Sequence, residues 1–264
     1  MSDPDIDDPD IEVRVYFARK KNALVARADF SELYAAWYLH RMDCGLTVPR
    51  ECDQGARDAL AALTLHCAGR PHKESCAWTI HIVSPRMNLF AAGDNESGSV
   101  VANVFTENIR EIPNNVFYSD VIGEGMPARR STTEFEGSDA LSAAEQFYAR
   151  SEQRPARFFR HGEEDLVMVA AQPDCDLDWL RGLDREAVLR LDEEVELALL
   201  ETRHYRFVCG CNHERMLDFL TPVFLRQGDE LFGCEQAIRI HCPRCGAKHT
   251  LTRESLEAHA KNLG

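Results

Sequence analysis

The sequence predicts an antiparallel sheet flanked by helices, followed by an acidic helical segment and a small module held together by a metal ion. Three observations support this prediction. Short segments of alternating apolar and polar residues fill much of the first part of the chain, a strongly acidic amphipathic stretch follows, and two closely spaced cysteine pairs lie near the carboxyl end. The 264 residues, 44% of them hydrophobic, are enough for one large and one small domain with a sizeable core.

The chain is acidic, most of all at its start. Residues 1–12 hold six acidic side chains interrupted by prolines, so a disordered acidic tail is predicted there. The formal net charge of −14 opposes binding to nucleic-acid phosphates. No apolar run approaches the roughly 20 residues of a membrane span, and the first five residues lack the apolar core of a secretory signal. We therefore expect a cytoplasmic protein with neither a membrane nor a nucleic acid as partner.

The elements of the predicted first domain, residues 13–172, follow from the spacing of apolar residues. Alternation predicts strands, a spacing of three or four residues predicts helices, and stretches rich in glycine and asparagine mark turns. These patterns predict strands over residues 13–17, 78–83, 88–92, 99–105 and 166–170, and helices over residues 30–42, 56–67 and 140–150. The middle strands form an antiparallel meander, and Pro173 marks the end of the domain.

Residues 173–204 are predicted to form an acidic helical linker. Apolar residues recur at every fourth position from Leu183 to Leu199, which is typical of an amphipathic helix or a pair of helices. Between Asp174 and Glu201 there are ten acidic residues and three arginines. Because the like charges repel one another, we expect this linker to dock only marginally on the first domain.

The last region, residues 205–264, is predicted to be a zinc-binding domain. It is too small to form a stable hydrophobic core of its own, so a structural metal ion is expected. A C-x-C motif (Cys209, Cys211) and a C-x-x-C motif (Cys242, Cys245) are separated by thirty residues, which is a strong zinc signature. Four thiolates close the tetrahedral shell of one Zn²⁺ and leave no open position for catalysis. We therefore predict these four cysteines as the ligands and expect no enzymatic activity.

Other histidines and cysteines have no recognised metal-site spacing. His213, Cys234 and His241 lie close to the two motifs in sequence, but the four cysteines already fill a tetrahedral shell. The remaining candidates match no zinc finger or knuckle, and buried free thiols are the default for their cysteines. They are His40, Cys44, Cys52, His66, Cys67, His72, Cys76 and His81, whereas Cys175 is assigned no role.

The C-x-C spacing also points to redox chemistry. It places two sulfurs close enough to oxidise to a disulfide, and zinc holds all four cysteines as thiolates, the reactive form. Because metal binding supplies folding free energy in small zinc modules, release of the ion should unfold the module. The alternative is a zinc ribbon with purely structural zinc that binds RNA or protein. The acidic charge disfavours an RNA partner, and the C-x-C motif favours the redox function.

The two cysteine motifs resemble those of the heat shock protein 33 family, the redox-regulated holdase chaperones. The resemblance rests on CGCNHER at residues 209–215 and IHCPRCG at residues 240–246. Weaker matches at residues 85–89, 111–113 and 145–155 follow the order found in the family. Together they span most of the chain after the acidic tail.

This resemblance implies an α+β client-binding domain, a metastable helical linker and a carboxyl-terminal redox switch. In the family, the reduced, zinc-bound protein is inactive. Oxidation during stress releases zinc, forms disulfides that here would be Cys209–Cys211 and Cys242–Cys245, and unfolds the linker. The exposed apolar surface then binds unfolded or misfolded client proteins without ATP, and the active form dimerises.

Overall fold

The structure, a computed structural model, describes residues 10–263, in which twelve strands and eight helices are found. The strands are β1 (Asp10–Ala18), β2 (Ala23–Asp29), β3 (Glu74–Ile82), β4 (Met87–Asp94), β5 (Ser99–Phe105), β6 (Val116–Gly123), β7 (Arg129–Glu134), β8 (Ala156–Arg160), β9 (Asp165–Ala171), β10 (Leu197–Phe207), β11 (Ala237–His241) and β12 (Lys248–Thr252). The helices are α1 (Ser31–Asp43), α2 (Arg50–Ala68), α3 (Ala140–Phe147), α4 (Leu177–Gly182), α5 (Arg185–Leu189), α6 (Leu191–Glu194), α7 (His213–Phe232) and α8 (Arg253–Leu263), and a π-helical turn follows α3 at Tyr148–Glu152.

Ten of the strands form one sheet in the order β7-β6-β3-β4-β5-β10-β1-β2-β9-β8. Neighbouring strands are antiparallel except β5 and β10, which pair in parallel through Ser99 with Arg206 and Val100 with Phe207. Strands β11 and β12 form a separate antiparallel pair. The mixed α and β architecture and the predicted meander of β3, β4 and β5 are thus confirmed.

One face of the large sheet, here called the inner face, packs against α1, α2 and α3. Trp78, Ile80 and Leu89 are fully buried against these helices. Helix α2 follows Pro49, and its first turn carries acidic residues that suit the helix dipole. Many of its buried positions are alanines, so its backbone can lie close to the sheet. The inner face therefore holds the main core.

The opposite face, here called the outer face, is covered by two separate groups. Because side chains alternate along a strand, residues next to inner-face positions in the sequence point to the outer face. Residues 174–196, here called the acidic segment, carry α4, α5 and α6 and pack on one end of the sheet, where Val25 and Val169 are buried. The cysteine module, residues 208–263, packs on Ala92 and Val101. Both covers lie on apolar sheet residues.

The helical linker predicted for residues 173–204 is corrected in its last third. Helices end at Glu194, and residues from Leu197 onward form β10, which lies between β1 and β5. The four-residue spacing of apolar side chains obscured a two-residue alternation, in which Arg203 and Tyr205 are buried and their neighbours are less so. The proposed division into domains at residues 172 and 204 remains a prediction.

Two further predicted segments, the acidic tail and the helix over residues 140–150, end earlier than expected. Of the predicted tail, residues 1–9 lie outside the described residues, whereas residues 10–12 belong to β1, where Ile11 is buried opposite Tyr205. The helix predicted to reach residue 150 ends at Phe147 and continues as the π-helical turn. The other predicted elements of the first domain are present, β5 with the predicted ends and the rest with shifted ends, whereas β2, β6, β7 and β8 were not predicted. No helix in residues 10–263 combines the length and the hydropathy needed to cross a lipid bilayer.

Candidate metal centre

The four predicted ligand cysteines lie in two loops that meet above the outer face of the sheet. Cys209 and Cys211 lie between β10 and α7, and Cys242 and Cys245 lie between β11 and β12. Their four Sγ atoms all lie within 4.8 Å of one another. Strand β10 and the β11–β12 pair thus bring together residues that are more than thirty positions apart in the sequence.

Local backbone geometry shapes both loops around the sulfurs. Gly210 and Gly246 have φ of 65° and 79°, in the left-handed region that favours glycine. The second loop closes through hydrogen bonds from the Gly246 amide to the Cys242 carbonyl and from the Cys242 amide to the Ala247 carbonyl, each 2.8 Å. In the first loop, the Arg215 guanidinium donates to the Gly210 carbonyl. These contacts hold the cysteines of each motif on one side of its loop.

The sulfur positions fit a metal ion with four thiolate ligands. The Sγ atoms of Cys209 and Cys242 are 3.6 Å apart, and those of Cys211 and Cys245 are 3.5 Å apart. A tetrahedral zinc site with Zn–S bonds of about 2.3 Å places its sulfurs about 3.8 Å apart. The donor set needs no further ligand to complete the shell. Cys209, Cys211, Cys242 and Cys245 could therefore hold one ion.

Burial and mutual hydrogen bonds give the four thiols unequal acidity. Cys242 and Cys245 are buried, and Cys209 and Cys211 are half-buried. A hydrogen bond from Cys245 lowers the pKa of Cys209 to about 5, and the same contact raises the pKa of Cys245. Burial raises the pKa of Cys211 to about 12. Protons and a bound cation would therefore compete for these sulfurs, as at other thiolate sites.

The cysteine cluster is itself part of an apolar contact with the sheet. Cys242, Cys245 and Ala247 pack with Ala92 and Val101 in one buried group. Half-buried apolar side chains surround this group, namely Cys44, Ala77, Phe90, Phe207, Cys209 and Cys211. The cysteines of the candidate metal centre thus bury an apolar patch on the outer face of the sheet.

The carboxyl end of α1 supplies contacts that the sequence analysis missed. The Nε2 atom of His40 lies 3.1 Å from the Cys245 carbonyl oxygen, and the Cys44 sulfur lies 3.8 Å from the same nitrogen. The Lys248 ammonium donates to the Gly45 carbonyl at 3.3 Å. His40 and Cys44 drew notice in the sequence only as components of a second metal site. In the structure they lie against the four-cysteine cluster instead.

The other metal-site candidates stay apart from this cluster. His213, Cys234 and His241 are exposed and are not among the grouped ligand atoms. Across residues 10–263, no second group of three or more cysteine, histidine or carboxylate ligand atoms is close enough to hold an ion.

Comparison with known protein families identifies one match. The model of the Hsp33 protein family matches residues 166–252. The matched range includes all four clustered cysteines as well as the acidic segment and β10.

Curated relatives bear a common name. The 33 kDa chaperonin of Edwardsiella ictaluri (strain 93-146) is 28% identical over 148 residues, which cover 47% of this chain and 50% of the relative. The 33 kDa chaperonin of Escherichia coli (strain K12 / DH10B) is 28% identical over 172 residues, which cover 52% of this chain and 59% of the relative. The chain therefore spans only about half the length of these relatives.

A solved structure shares the fold over nearly the whole chain. The 33 kDa chaperonin (heat shock protein 33 homolog) of Thermotoga maritima superposes with a TM-score of 0.70, covering 96% of this chain and 98% of the other, at 14% sequence identity. At this identity the match establishes the fold. The family model, the curated relatives and the fold agree in their similarity to the Hsp33 family.

Proposed function

We propose that this chain is a redox-regulated, ATP-independent holdase chaperone that binds unfolded or misfolded proteins once its metal centre is oxidised. The observation that carries the proposal is the position of the cysteine cluster directly on an apolar patch of the sheet. The relatives' name, 33 kDa chaperonin, supports it further. The proposal includes no enzymatic turnover.

In the reduced protein, Cys209, Cys211, Cys242 and Cys245 would hold one Zn²⁺ per chain. The bound ion would keep the four sulfurs deprotonated and supply folding free energy to the module. That contribution matters because the module's own core consists of only five buried apolar residues among those described. They are Leu217, Leu220, Phe232, Leu251 and Leu256. A core of this size rarely suffices for a stable domain.

Oxidation would remove the thiolates on which the metal site depends. In the proposed pairing, Cys209 bonds to Cys211 and Cys242 bonds to Cys245. Each disulfide forms as one peroxide accepts two electrons from two thiolates, its O–O bond breaks, and its two oxygens leave as two water molecules after taking up two protons from solvent. The disulfide sulfurs no longer offer thiolates to a cation, so the module loses both its ion and the stability that the ion supplied.

Unfolding of the module would uncover the patch beneath it. The patch is formed by apolar side chains from three strands of the outer face, which are Ala77, Phe90, Ala92 and Val101. Extended apolar surface of this kind binds exposed hydrophobic segments of other proteins. Active chains would also be able to dimerise through it.

The acidic segment would add a second patch if it detached. It covers Val25, Val167 and Val169 among other residues, while its dense negative charge opposes tight packing. Three ion pairs join it to the sheet region, between Lys21 and Asp176 at 2.8 Å, between Arg27 and Asp192 at 2.6 Å and between Arg19 and Glu196 at 3.4 Å. All involve partly exposed groups, and such pairs contribute only about 1 kcal/mol or less each. In the reducing cytoplasm, both covers would stay in place until oxidative stress.

The decisive experiment follows zinc and holdase activity in the same sample. Purified reduced protein is treated with hydrogen peroxide, released zinc is measured with a chromogenic chelator, and light scattering records the aggregation of a thermally unfolding reporter enzyme. We expect zinc release and suppressed aggregation to rise together. The variant Cys234→Ser, which alters an exposed cysteine outside the cluster, should behave like the wild type.

Two results would contradict the proposal. One is a chain that retains zinc under peroxide. The other is release of zinc without any gain in suppression of aggregation, which would favour the alternative of a purely structural zinc.

A further inference from the structure

Two cysteines outside the metal centre lie side by side beneath the inner face of the sheet. Cys67 lies in the last turn of α2, and Cys76 lies in β3, and their exposed fractions are 0% and 2%. Neither has a role in the function proposed above. Both belong to the main core.

Strand register and a glycine bring the two thiols together. Cys76 in β3 is directly opposite Gly93 in β4, and directly opposed residues have Cβ atoms about 4.5–5.5 Å apart. A Cβ atom placed on Gly93 would lie only 2.8 Å from the Cys67 sulfur. The Cys67 thiol therefore fills the space that a side chain facing Cys76 would occupy. Gly93 leaves room for one sulfur beside the other.

The surroundings give the two sulfurs different chemical characters. Electrostatic coupling to Cys67 and to His66 lowers the pKa of Cys76, and coupling to Cys76 together with burial raises the pKa of Cys67. The His66 ring is fixed by its Nδ1 atom, which lies 2.6 Å from the Tyr148 hydroxyl. Cys76 thus has the character of an attacking thiolate, and Cys67 that of a thiol that can resolve a sulfenic acid.

We propose that Cys67 and Cys76 are a second redox pair, which peroxide converts to a disulfide inside the α2–β3 core, separately from the metal centre. The Cys76 thiolate attacks one peroxide oxygen, the O–O bond breaks, and the departing hydroxide takes up a solvent proton. The Cys67 sulfur then attacks the Cys76 sulfenic acid. The S–O bond breaks, and the hydroxide leaves as water with the Cys67 proton. Two electrons pass from the thiols to peroxide.

The location ties this pair to the strand that leads to the metal centre. The Cys67 carbonyl accepts hydrogen bonds from Arg203 of β10 at 3.2 Å and from Asn95 at 2.9 Å. The Tyr205 hydroxyl, also on β10, donates to Asn95 at 2.9 Å. Because both sulfurs are buried, peroxide reaches them only when this region opens locally. Disulfide formation would therefore report on opening around the end of α2.

Peptide mapping tests the proposal directly on the full-length, zinc-loaded protein. After peroxide treatment, free thiols are blocked with N-ethylmaleimide and the protein is digested with trypsin without reductant. Cys67 and Cys76 fall in peptides 58–73 and 74–86, each with a single cysteine. We expect these two peptides to appear linked, two hydrogens lighter than their sum, and to separate after reduction. The time course runs until the four clustered cysteines are fully oxidised.

Variants distinguish a true pair from general core oxidation. Cys67→Ser should leave Cys76 as a sulfenic acid that dimedone traps, whereas Cys52→Ala, a change to another buried cysteine of α2, should leave the link intact. Recovery of both wild-type peptides in alkylated form at the end point would overturn the proposal. So would linkage of either cysteine to a different partner. The wild-type map decides the outcome even if a variant fails to fold.

Discussion

At the scale of single residues, Gly246 shows how backbone geometry supports the metal centre. Its φ of 79° suits glycine, and an added Cβ would lie 2.9 Å from Leu46 Cδ1. Gly246→Ala should therefore displace the second cysteine loop and weaken zinc binding about tenfold, equivalent to about 1.4 kcal/mol. Competition with a chelator measures the affinity.

A matched control for Gly246→Ala separates strain at the site from the general effect of losing a glycine. Gly125 also has a positive φ, of 67°, but open space surrounds its Cβ position. Gly125→Ala should leave zinc affinity unchanged. Equal affinities for the Gly246→Ala protein and the wild type would show that the loop tolerates the side chain.

The buried ligand Cys242 provides a direct test of the metal site. Cys242→Ser replaces a soft thiolate with a hydroxyl, which is a poor zinc ligand. We expect the zinc content of the purified protein to fall from about one ion per chain towards zero. Elemental analysis measures it, and the Cys234→Ser protein should retain its zinc. Unaltered zinc content in the Cys242→Ser protein would exclude the proposed ligand set.

At the scale of elements, the acidic segment is held on the sheet in part by a two-pronged ion pair. Arg27 contacts both carboxylate oxygens of Asp192, at 2.6 and 3.1 Å. Arg27→Met should lower the free energy needed to detach the acidic segment from the sheet by about 1 kcal/mol. Limited proteolysis at residues 184–196 should then become up to about fivefold faster. High salt should shrink the difference.

A second arginine on the sheet serves as the comparison. Arg14 of β1 pairs with Glu12 rather than with the acidic segment. Arg14→Met should therefore not accelerate cleavage at residues 184–196. Equal cleavage rates in the Arg27→Met protein and the wild type would show that the Arg27–Asp192 pair does not help to hold the segment.

The elements also show how far sequence reasoning reaches. The clustering of the four cysteines could be predicted because zinc sites impose short, recognisable spacings. Strands β1, β3, β4, β5 and β9 and helices α1, α2 and α3 could be predicted from side-chain periodicity. Strand β10 was missed because its place depends on pairing with β1 and β5, which are distant in sequence. The contact of His40 with the Cys245 carbonyl was missed for the same reason. Nothing local in α1 indicates what packs on its end.

At the scale of the whole molecule, one sheet has a permanent cover on its inner face and two separate covers on its outer face. Removal of zinc by a chelator, without oxidant, should therefore expose amides of residues 237–252 to hydrogen exchange, while β3 and β4 stay protected by α2. Exchange measured by mass spectrometry tests this contrast. Uniform loss of protection across the sheet would mean that the module stabilises the entire fold rather than one patch.

Strand β10 ends at Phe207, only two residues before Cys209, and it is an interior strand of the sheet. An unfolded module therefore remains anchored beside its own former docking surface. When reductant and zinc return, recapture is an intramolecular reaction, with an effective concentration that reaches the millimolar range for short flexible tethers. A bound client would have to compete with this tethered cysteine module for the same surface. Restoration of reducing conditions would therefore itself promote client release.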